Sequence, residues 1–199
     1  MDASDNDLVP EELRRLYEVR EWRHAIPILA NDFPDEWNDI VEVLSDFRFL
    51  KSEITVGGGS KSQISEKIDG AFYARGWAER EFRTTFSVDG VERESRSHLI
   101  DCAKNGVGLE IEWNSKDQTF VRDLNNFRVL FDLRVLDVGV IVTRADHLQT
   151  IFGGLGIGTK YGASTTHMSK LLPRLEGGGA AGCPILVFGI TERLFDEQR

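Results

Sequence analysis

The sequence predicts an α/β fold in which a mixed β-sheet is covered by helices on both sides. Two apolar runs, at residues 135–143 and 184–190, are typical of buried central strands. From Val107 onward, strand patterns alternate with helical patterns, as they do in α/β domains. The 199 residues are enough to bury a core, so we expect a single domain over residues 1–199, with residues 1–9 flexible.

Apolar residues at helical spacing predict three helices in the first half of the chain. These helices cover residues 10–22, 34–50 and 62–76. Between the second and third helices lies the run Gly57-Gly58-Gly59-Ser60. It lacks the Gly-Lys-Ser/Thr sequence of a phosphate-binding loop, so we interpret it as a flexible turn.

Alternating patterns and turn residues predict a hairpin and a following strand in the middle of the chain. Strands at residues 81–88 and 91–97 flank the turn signal Asp89-Gly90. A second turn signal, Lys104-Asn105-Gly106, precedes a strand at residues 107–113. The remaining elements, in order, are a helix at 117–131, a strand at 135–143, a glycine-rich loop at 153–158, a helix at 164–175, a loop at 177–182 and a strand at 184–190.

The composition is typical of a soluble globular protein, with 41% hydrophobic and 29% charged residues. No apolar run reaches the ~20 residues of a transmembrane helix, and the acidic N-terminus is unlike a secretory signal. Cys102 and Cys183 show neither CxxC spacing nor histidine pairing, which disfavours a disulfide framework or a zinc site. We therefore expect a cytoplasmic protein with no membrane partner and no organic cofactor.

The net charge of −9 disfavours a nucleic-acid partner, because DNA-binding proteins usually have a basic face. It does not exclude one, since part of the acidity lies in the N-terminal arm and in carboxylates that a cation could offset. Basic residues also cluster locally, and we interpret most of them as solvated and a few as phosphate contacts. They are Arg75, Arg80, Arg83, Arg93, Arg96, Arg122, Arg128, Arg134 and Arg144.

Three carboxylates lie in or near the strand predicted at residues 107–113. Glu110 and Glu112 share one face of this strand, and Asp101 precedes it. Clustered carboxylates repel one another, so they must be solvated, paired or bound to a cation, and oxygen ligands suit Mg²⁺. The pattern suits metal-assisted phosphodiester hydrolysis. The spacing alone favours a simpler alternative, in which the glutamates form a solvated strand face and Asp101 is a turn residue.

Six segments, in the same order along the chain, carry a resemblance to a known family. They are Phe33-Pro-Asp-Glu-Trp37, Phe72-Tyr-Ala-Arg-Gly-Trp77, Asp101 with Glu110-Ile-Glu112-Trp113, Asp137-Val-Gly-Val-Ile-Val142, Thr159-Lys-Tyr-Gly-Ala-Ser164 and Cys183-Pro-Ile-Leu-Val-Phe-Gly189. From about Leu29 to Ile190, the chain resembles the BglII/BstYI family of type II restriction endonucleases and, more distantly, BamHI, all in the PD-(D/E)XK nuclease group. The resemblance implies a restriction-endonuclease-like mixed β-sheet flanked by α-helices.

The resemblance also implies a catalytic site. The family's metal-binding Asp falls on Asp101, and the first acidic residue of its strand motif falls on Glu110. The third position is Lys in most of the group and Gln in BglII and BstYI, but it is Glu112 here, as in BamHI. Glutamate brings no positive charge to the attacking water, although it could accept a proton or orient the water. A further metal ligand on the preceding helix matches Glu66, for which a solvated helix position is an equal alternative.

Two segments correspond to the DNA-recognition segments of the family. The first follows the catalytic strand and comprises Asn114, Ser115, Lys116 and Asp117. Asn and Lys can pair with bases in the major groove, although the first two residues could instead cap the next helix. The second segment has a glycine-rich lead-in that would let the backbone approach DNA, and it comprises Lys160, Tyr161, Ser164 and Thr165.

By resemblance, we expect a homodimer that uses Mg²⁺ to hydrolyse phosphodiester bonds at a short palindromic site in double-stranded DNA. A GATC-centred hexanucleotide is our guess for that site. Three alternatives stay open: a structure-specific or repair nuclease of the same fold, a non-catalytic DNA-binding relative, and an acidic α/β binding module.

Overall fold

The computed structural model describes residues 2, 7–56, 61–94 and 97–197. In these residues the helices are α1 (Glu11–Leu16), α2 (Ala25–Asp32), α3 (Pro34–Asp46), α4 (Lys51–Thr55), α5 (Gln63–Tyr73), α6 (Thr119–Asp132), α7 (Leu148–Gly154) and α8 (Met168–Glu176). The strands are β1 (Tyr17–Trp22), β2 (Phe49–Leu50), β3 (Ala78–Phe82), β4 (Thr85–Val88), β5 (Val91–Glu94), β6 (His98–Lys104), β7 (Val107–Glu112), β8 (Val138–Arg144), β9 (Ile185–Ile190) and β10 (Phe195–Asp196).

A six-stranded mixed sheet forms the centre of the protein, with the strand order β1-β9-β8-β7-β6-β3. Strands β7, β8 and β9 are parallel, and antiparallel strands extend the sheet at both sides. Every residue of the three parallel strands is buried, because helices cover both faces of the sheet. The predicted mixed α/β sheet flanked by helices is confirmed.

Two hydrophobic clusters lie on opposite faces of this sheet, as neighbouring residues of β8 demonstrate. Val140 packs with the cluster formed by α1, α2, α3 and α5, whereas Ile141 packs with the cluster formed by α6 and α8. On the second face, Phe127 of α6 lies over the parallel strands. Helix α6 therefore covers the face of β7 that carries Glu110 and Glu112.

The helix predicted over residues 10–22 is wrong in its second half. Helix α1 ends at Leu16, and β1 pairs antiparallel with β9, with Val19 opposite Phe188. Within β1, Tyr17 and Val19 are buried while the residue between them is partly exposed, which is the alternation of a strand. Pairing with β9 overrides the local helical spacing, since β1 covers an edge of the central sheet that would otherwise be unpaired.

Other predictions need smaller corrections. Helix α3 ends at Asp46 instead of residue 50, because Phe49 joins β2 and pairs with β10. The strand predicted at residues 81–88 is divided between β3 and β4, and Gly153 and Gly154 end helix α7 instead of starting a loop. Helix α2 lies where no element was predicted.

Several predictions are confirmed or fall outside the described residues. Asp89 and Gly90 both have positive φ angles, 51° and 79°, and connect β4 to β5 as the predicted hairpin turn. The turn predicted at residues 57–60 lies outside the described residues, as do residues 1 and 3–6 of the segment expected to be flexible. Val9, from the same segment, is buried in the core. Among the described helices, none has the length and apolar character needed to cross a membrane.

Candidate active site

A tight hairpin brings Asp101 next to Glu110. Asn105 and Gly106 connect β6 to β7 with φ angles of 45° and 89°, and the register pairs Cys102 with Leu109. Continuing this register by one residue sets Asp101 across from Glu110. In that position Asp101 Oδ2 accepts a hydrogen bond of 3.4 Å from the backbone N–H of Ile111. The turn signal in the sequence therefore determines where the first two predicted carboxylates meet.

Glu110 is buried in the sheet, with an exposed fraction of 1%. It faces away from the cluster that contains Leu109 and Ile111, as strand alternation predicts. Burial raises the pKa of Glu110 well above its ordinary value, and the charges of Asp123 and Asp101 raise it further. Glu110 Oε1 has no hydrogen-bond partner within the described residues. A buried, unbonded carboxylate oxygen is costly, and a bound cation would offset that cost.

Glu112 is also buried, at 3% exposure, so the alternative of a solvated acidic face is wrong. Thr119 Oγ1 donates a 3.2 Å hydrogen bond to its Oε2, and Arg122 Nη2 lies 3.4 Å from its Oε1. Burial raises the pKa of Glu112, whereas a hydrogen bond from Ser115 and the charge of Arg122 lower it. The Thr143 hydroxyl donates a 2.7 Å bond to the Glu112 carbonyl, so both the side chain and the backbone of Glu112 are held.

Sequence reasoning missed Asp123, a buried carboxylate on α6. The guanidinium of Arg122 donates to Asp123 Oδ1 from Nε at 3.0 Å and from Nη2 at 2.8 Å. Burial is the main reason that the pKa of Asp123 rises to about 8, and the charge of Glu112 adds to it. One signal could have found Asp123: it lies among Phe120, Leu124 and Phe127 on the buried face of the helix.

An open cleft of about 870 Å³ gathers residues from several predicted sets. Of the residues predicted for catalysis, metal binding or DNA recognition, those that line it are Glu66, Asp101, Glu112, Asn114, Ser115, Lys160 and Tyr161. Lys61 and Arg122 also line the cleft and bring positive charge to it. Glu110 does not line the cleft itself; it is buried next to Asp101, which does.

The site has the donors that a hard divalent cation requires, but it is not a complete cage. Its acidic ligands supply only oxygen, which suits Mg²⁺. No three Asp, Glu, His or Cys side chains are close enough to hold a metal ion by themselves in the part of the chain that the structure describes. Glu66 is exposed in the first turn of α5. Asp101 and Glu112 both lie close enough to Glu110 for their charges to raise its pKa. Mg²⁺ commonly binds one or two carboxylates and completes its shell with water and phosphate oxygens.

The two predicted recognition segments lie side by side at the end of β7. Lys116 and Thr165 form an antiparallel bridge. The N–H of Asp117 donates a 3.0 Å bond to the Ser164 carbonyl, and the N–H of Thr166 donates a 2.9 Å bond to the Ser115 carbonyl. Segments that are distant in the sequence therefore form one surface directly beyond the strand that carries the carboxylates.

Within this surface, some side chains are exposed and others hold the backbone in place. Lys116 and Ser164 are exposed. Tyr161 is buried, and its hydroxyl donates a 3.0 Å bond to the carbonyl of Ile54. Lys160 donates to the same carbonyl at 3.1 Å. The second segment is therefore anchored on the C-terminal end of α4.

The first segment does not act as the cap of the following helix. Helix α6 begins at Thr119, with Gln118 at the capping position and no side-chain capping bond. Instead, Ser115 contacts the Glu112 carboxylate, and Asn114 lines the cleft with its buried Oδ1 unbonded within the described residues. Asp117 forms an ion pair of 2.9 Å with Arg174 of α8. The helix-cap alternative is therefore wrong.

Comparison with known proteins identifies one matching family. The family model described as Restriction endonuclease BglII/BglIII matches residues 17–190, which is most of the chain. The matched range includes every candidate site residue from Glu66 to Thr165. A search of curated proteins found no match.

Proposed function

Because the chain belongs to the restriction endonuclease BglII/BglIII family, we propose that it cuts a short palindromic site in double-stranded DNA with Mg²⁺. One observation carries this proposal at the level of the site. Glu110 Oε1 is buried and unbonded within the described residues, and Asp101 lies beside it at the wall of a cleft. Family membership supports the class of enzyme, and the unbonded Glu110 oxygen beside Asp101 supports our assignment of the metal to these two residues.

Asp101 and Glu110 are the residues that would hold Mg²⁺ in this proposal. The ion would supply Lewis-acid chemistry, acidifying a bound water and offsetting charge at the phosphate. Asp101 is partly exposed and lines the cleft, so DNA phosphates can approach it, whereas Glu110 closes the site from behind. Glu66 is a weaker candidate ligand, since it lines the cleft from α5 but its side chain is exposed.

Glu112 is the residue that we propose to orient or deprotonate the attacking water. It lines the cleft, and contacts with Thr119 and Arg122 fix its carboxylate. Burial raises its pKa, which makes its ionised form a better proton acceptor. A side chain held from two sides can act without first losing rotational freedom.

Arg122 would supply the positive charge that most of the wider nuclease group takes from a strand lysine. Its guanidinium lines the same cleft and lies against Glu112 and Asp123. Asp123 holds this guanidinium through two bonds to one oxygen atom. A guanidinium directed at the cleft can stabilise negative charge that develops on a phosphate.

DNA recognition is assigned in this proposal to the paired segments at residues 114–117 and 160–165. Lys116 and Ser164 have exposed side chains suited to contacts with phosphates or base edges. We propose that two copies of the chain assemble on a palindrome as a homodimer, each copy acting as one domain and cutting one strand. The GATC-centred target is part of this proposal.

Digestion of a sequenced plasmid tests the proposal. Purified protein is incubated with Mg²⁺ or with EDTA, alongside Asp101→Ala, Asp101→Asn and the exposed control Asp132→Asn, which lies outside the cleft. We expect discrete Mg²⁺-dependent fragments with the wild type and the control but not with the two Asp101 variants. Sequencing the fragment ends then gives the site and the overhang, and light scattering gives the mass with and without DNA.

Other results of the same experiment would favour the alternatives. Cleavage that follows DNA structure, without discrete fragments, indicates a repair or structure-specific nuclease. DNA binding without cleavage in any divalent cation indicates a non-catalytic relative. A protein that neither binds nor cleaves DNA would contradict the proposed function.

A further inference from the structure

Arg144, the last residue of β8, carries a buried positive charge. Its exposed fraction is 2%, and it takes part in none of the ion pairs formed within the described residues. Burial lowers its pKa to about 10, so the guanidinium is still protonated at neutral pH. A buried cation without a carboxylate partner is costly, and an apolar side chain of similar size would often be more stable there. The position of Arg144 therefore calls for a functional explanation.

The guanidinium joins the end of the catalytic strand to the second recognition segment. Its Nε donates to the Trp113 carbonyl at 2.6 Å and to the Thr166 carbonyl at 3.1 Å. Its Nη2 donates to Thr165 Oγ1 at 2.6 Å. The planar fork of an arginine can hold two backbone segments at once in this way, whereas a lysine ammonium lacks that fixed geometry.

Two aromatic rings hold the guanidinium in position. It lies 5.5 Å from the ring centroid of Phe152 and 5.2 Å from that of Tyr161, within the range of cation–π interactions. Tyr161 belongs to the second recognition segment and is itself anchored to Ile54. Displacement of this segment would therefore disturb Arg144 through the ring as well as through the hydrogen bonds.

The other end of the connection is adjacent to Glu112. Trp113 is the next residue in the chain, and its carbonyl is held by Arg144. The preceding residue of β8, Thr143, holds the carbonyl of Glu112 itself. Two consecutive residues of β8 thus hold two consecutive carbonyls of the catalytic strand, and only Arg144 extends from there to the recognition segment.

We propose that Arg144 is a positioning residue that couples DNA recognition by the second segment to the placement of Glu112. This inference rests on the proposed endonuclease function. At the correct site, contacts with DNA hold the segment in the geometry in which Arg144 also holds Trp113. At a site with one wrong base pair the segment shifts, and Glu112 is left misplaced. Arg144 therefore contributes to specificity through the rate of cleavage and without touching DNA.

Cleavage of matched DNA substrates tests this coupling. Arg144→Lys keeps the positive charge but removes the planar guanidinium group. Arg128→Lys, on the exposed face of α6, is the matched control. We measure kcat and KM on the target site and on a site with one altered base pair. Loss of one coupled contact should lower the ratio of kcat/KM values between the two sites by about tenfold, mainly through kcat on the target. The control should keep the wild-type ratio.

A second pair of variants separates coupling from general damage. Thr165→Val removes the oxygen that accepts from Arg144, while Thr165→Ser keeps it. We expect Thr165→Val to lower the ratio of kcat/KM values between the two sites more than Thr165→Ser does. The Arg144→Lys/Thr165→Val double variant should have a ratio no lower than that of the more strongly affected single variant. If Arg144→Lys does not fold, the Thr165 pair carries the test alone.

The outcomes distinguish this inference from the proposed function. Equal losses on both DNA sites, or independent effects of the two substitutions, would overturn the coupling while leaving the endonuclease function intact. A wild-type protein that cuts no specific site would overturn both. A reduced ratio with an unchanged Mg²⁺-induced rise in unfolding temperature would support the coupling, because metal binding would then be unaffected.

Discussion

Glu112 of β7 and Asp123 of α6 share one arginine. Arg122 Nη2 lies 3.4 Å from Glu112 Oε1 and 2.8 Å from Asp123 Oδ1. Both carboxylates are buried, whereas the arginine is largely exposed at the cleft. Asp123 therefore holds a positively charged side chain at the edge of the cleft, next to the residue that we propose to orient or deprotonate the attacking water.

We predict that Arg122→Gln lowers kcat by about 10²- to 10³-fold, the range found when one preorganised donor is removed from a catalytic site. Arg122→Lys should recover part of this loss, because it keeps the charge but not the two bonds to Asp123. Single-turnover cleavage measures the effect, with Arg128→Gln on the same helix as control. Equal rates for Arg122→Gln and the control would remove Arg122 from the mechanism.

A second prediction concerns Glu110, whose negative charge destabilises the folded protein when no cation is bound. Glu110→Gln should raise the unfolding temperature of the metal-free protein at neutral pH. Burial and the charges of Asp123, Asp101 and Glu112 raise the pKa of Glu110, so its ionised form is costly in the folded protein. The same variant should no longer be stabilised by Mg²⁺. Its cleavage rate should fall by at least about 10³-fold, since a bound metal contributes several kcal/mol to stabilisation of the transition state. Thermal unfolding with and without Mg²⁺ gives the first two values.

A lower unfolding temperature for metal-free Glu110→Gln would contradict this prediction. It would mean that the carboxylate is stabilised by an interaction that the amide cannot make. Glu79→Gln is a suitable control, because Glu79 also lines the cleft but is exposed. This control should leave the metal-free unfolding temperature nearly unchanged.

The sequence predicted well those features that depend on neighbouring residues. The Asn105-Gly106 turn and the alternation along β7 are local signals. The turn brings Asp101 beside Glu110, and the alternation puts Glu110 and Glu112 on the same face, although the strand β6 that carries Asp101 was not predicted. The buried parallel strands were also predictable, because strands covered on both faces are apolar throughout.

Features that depend on distant contacts were not predictable from the sequence. Strand β1 is set by pairing with β9, which lies near the other end of the chain. The position of Arg122 between Glu112 and Asp123 follows from the packing of α6 over β7, which determines which side of the helix meets Glu112. Likewise, Tyr161 looks like a recognition residue in the sequence, although its side chain is buried by contacts with Arg144 and Ile54.

A third prediction concerns the close packing of the sheet against α6. A Cβ atom at Gly139 of β8 would lie 2.6 Å from Ile185 Cδ1 and 3.0 Å from the ring of Phe127. Gly139→Ala should therefore lower the free energy of unfolding by about 1–3 kcal/mol through overpacking. In contrast, a Cβ atom at Gly153 in helix α7 would have no atom within 4 Å. Gly153→Ala should therefore raise the free energy of unfolding by about 0.5–1 kcal/mol. Urea unfolding measures both values, and equal effects would contradict the packing explanation.

The last prediction concerns His167, which precedes α8 and is largely buried. Burial lowers its pKa below the ordinary value of 6.5; the charge of Asp146 opposes this shift, and those of Arg144 and Lys170 reinforce it. The unfolded chain therefore takes up a proton at higher pH than the folded protein does. As the pH falls below about 6.5, the free energy of unfolding should decrease, until the folded protein also protonates His167.

Two substitutions test the contribution of His167 to this slope. His167→Gln should flatten the dependence of the unfolding free energy on pH between about pH 7 and 5, where the unfolded state would otherwise gain the extra proton. Asp146→Asn should extend the decrease to lower pH, because it removes the charge that opposes the shift. It also changes the hydrogen bonds to Ser169, so the slope, and not the absolute stability, is compared. An unchanged slope in His167→Gln, measured by urea unfolding across this range, would assign the acid sensitivity to other groups.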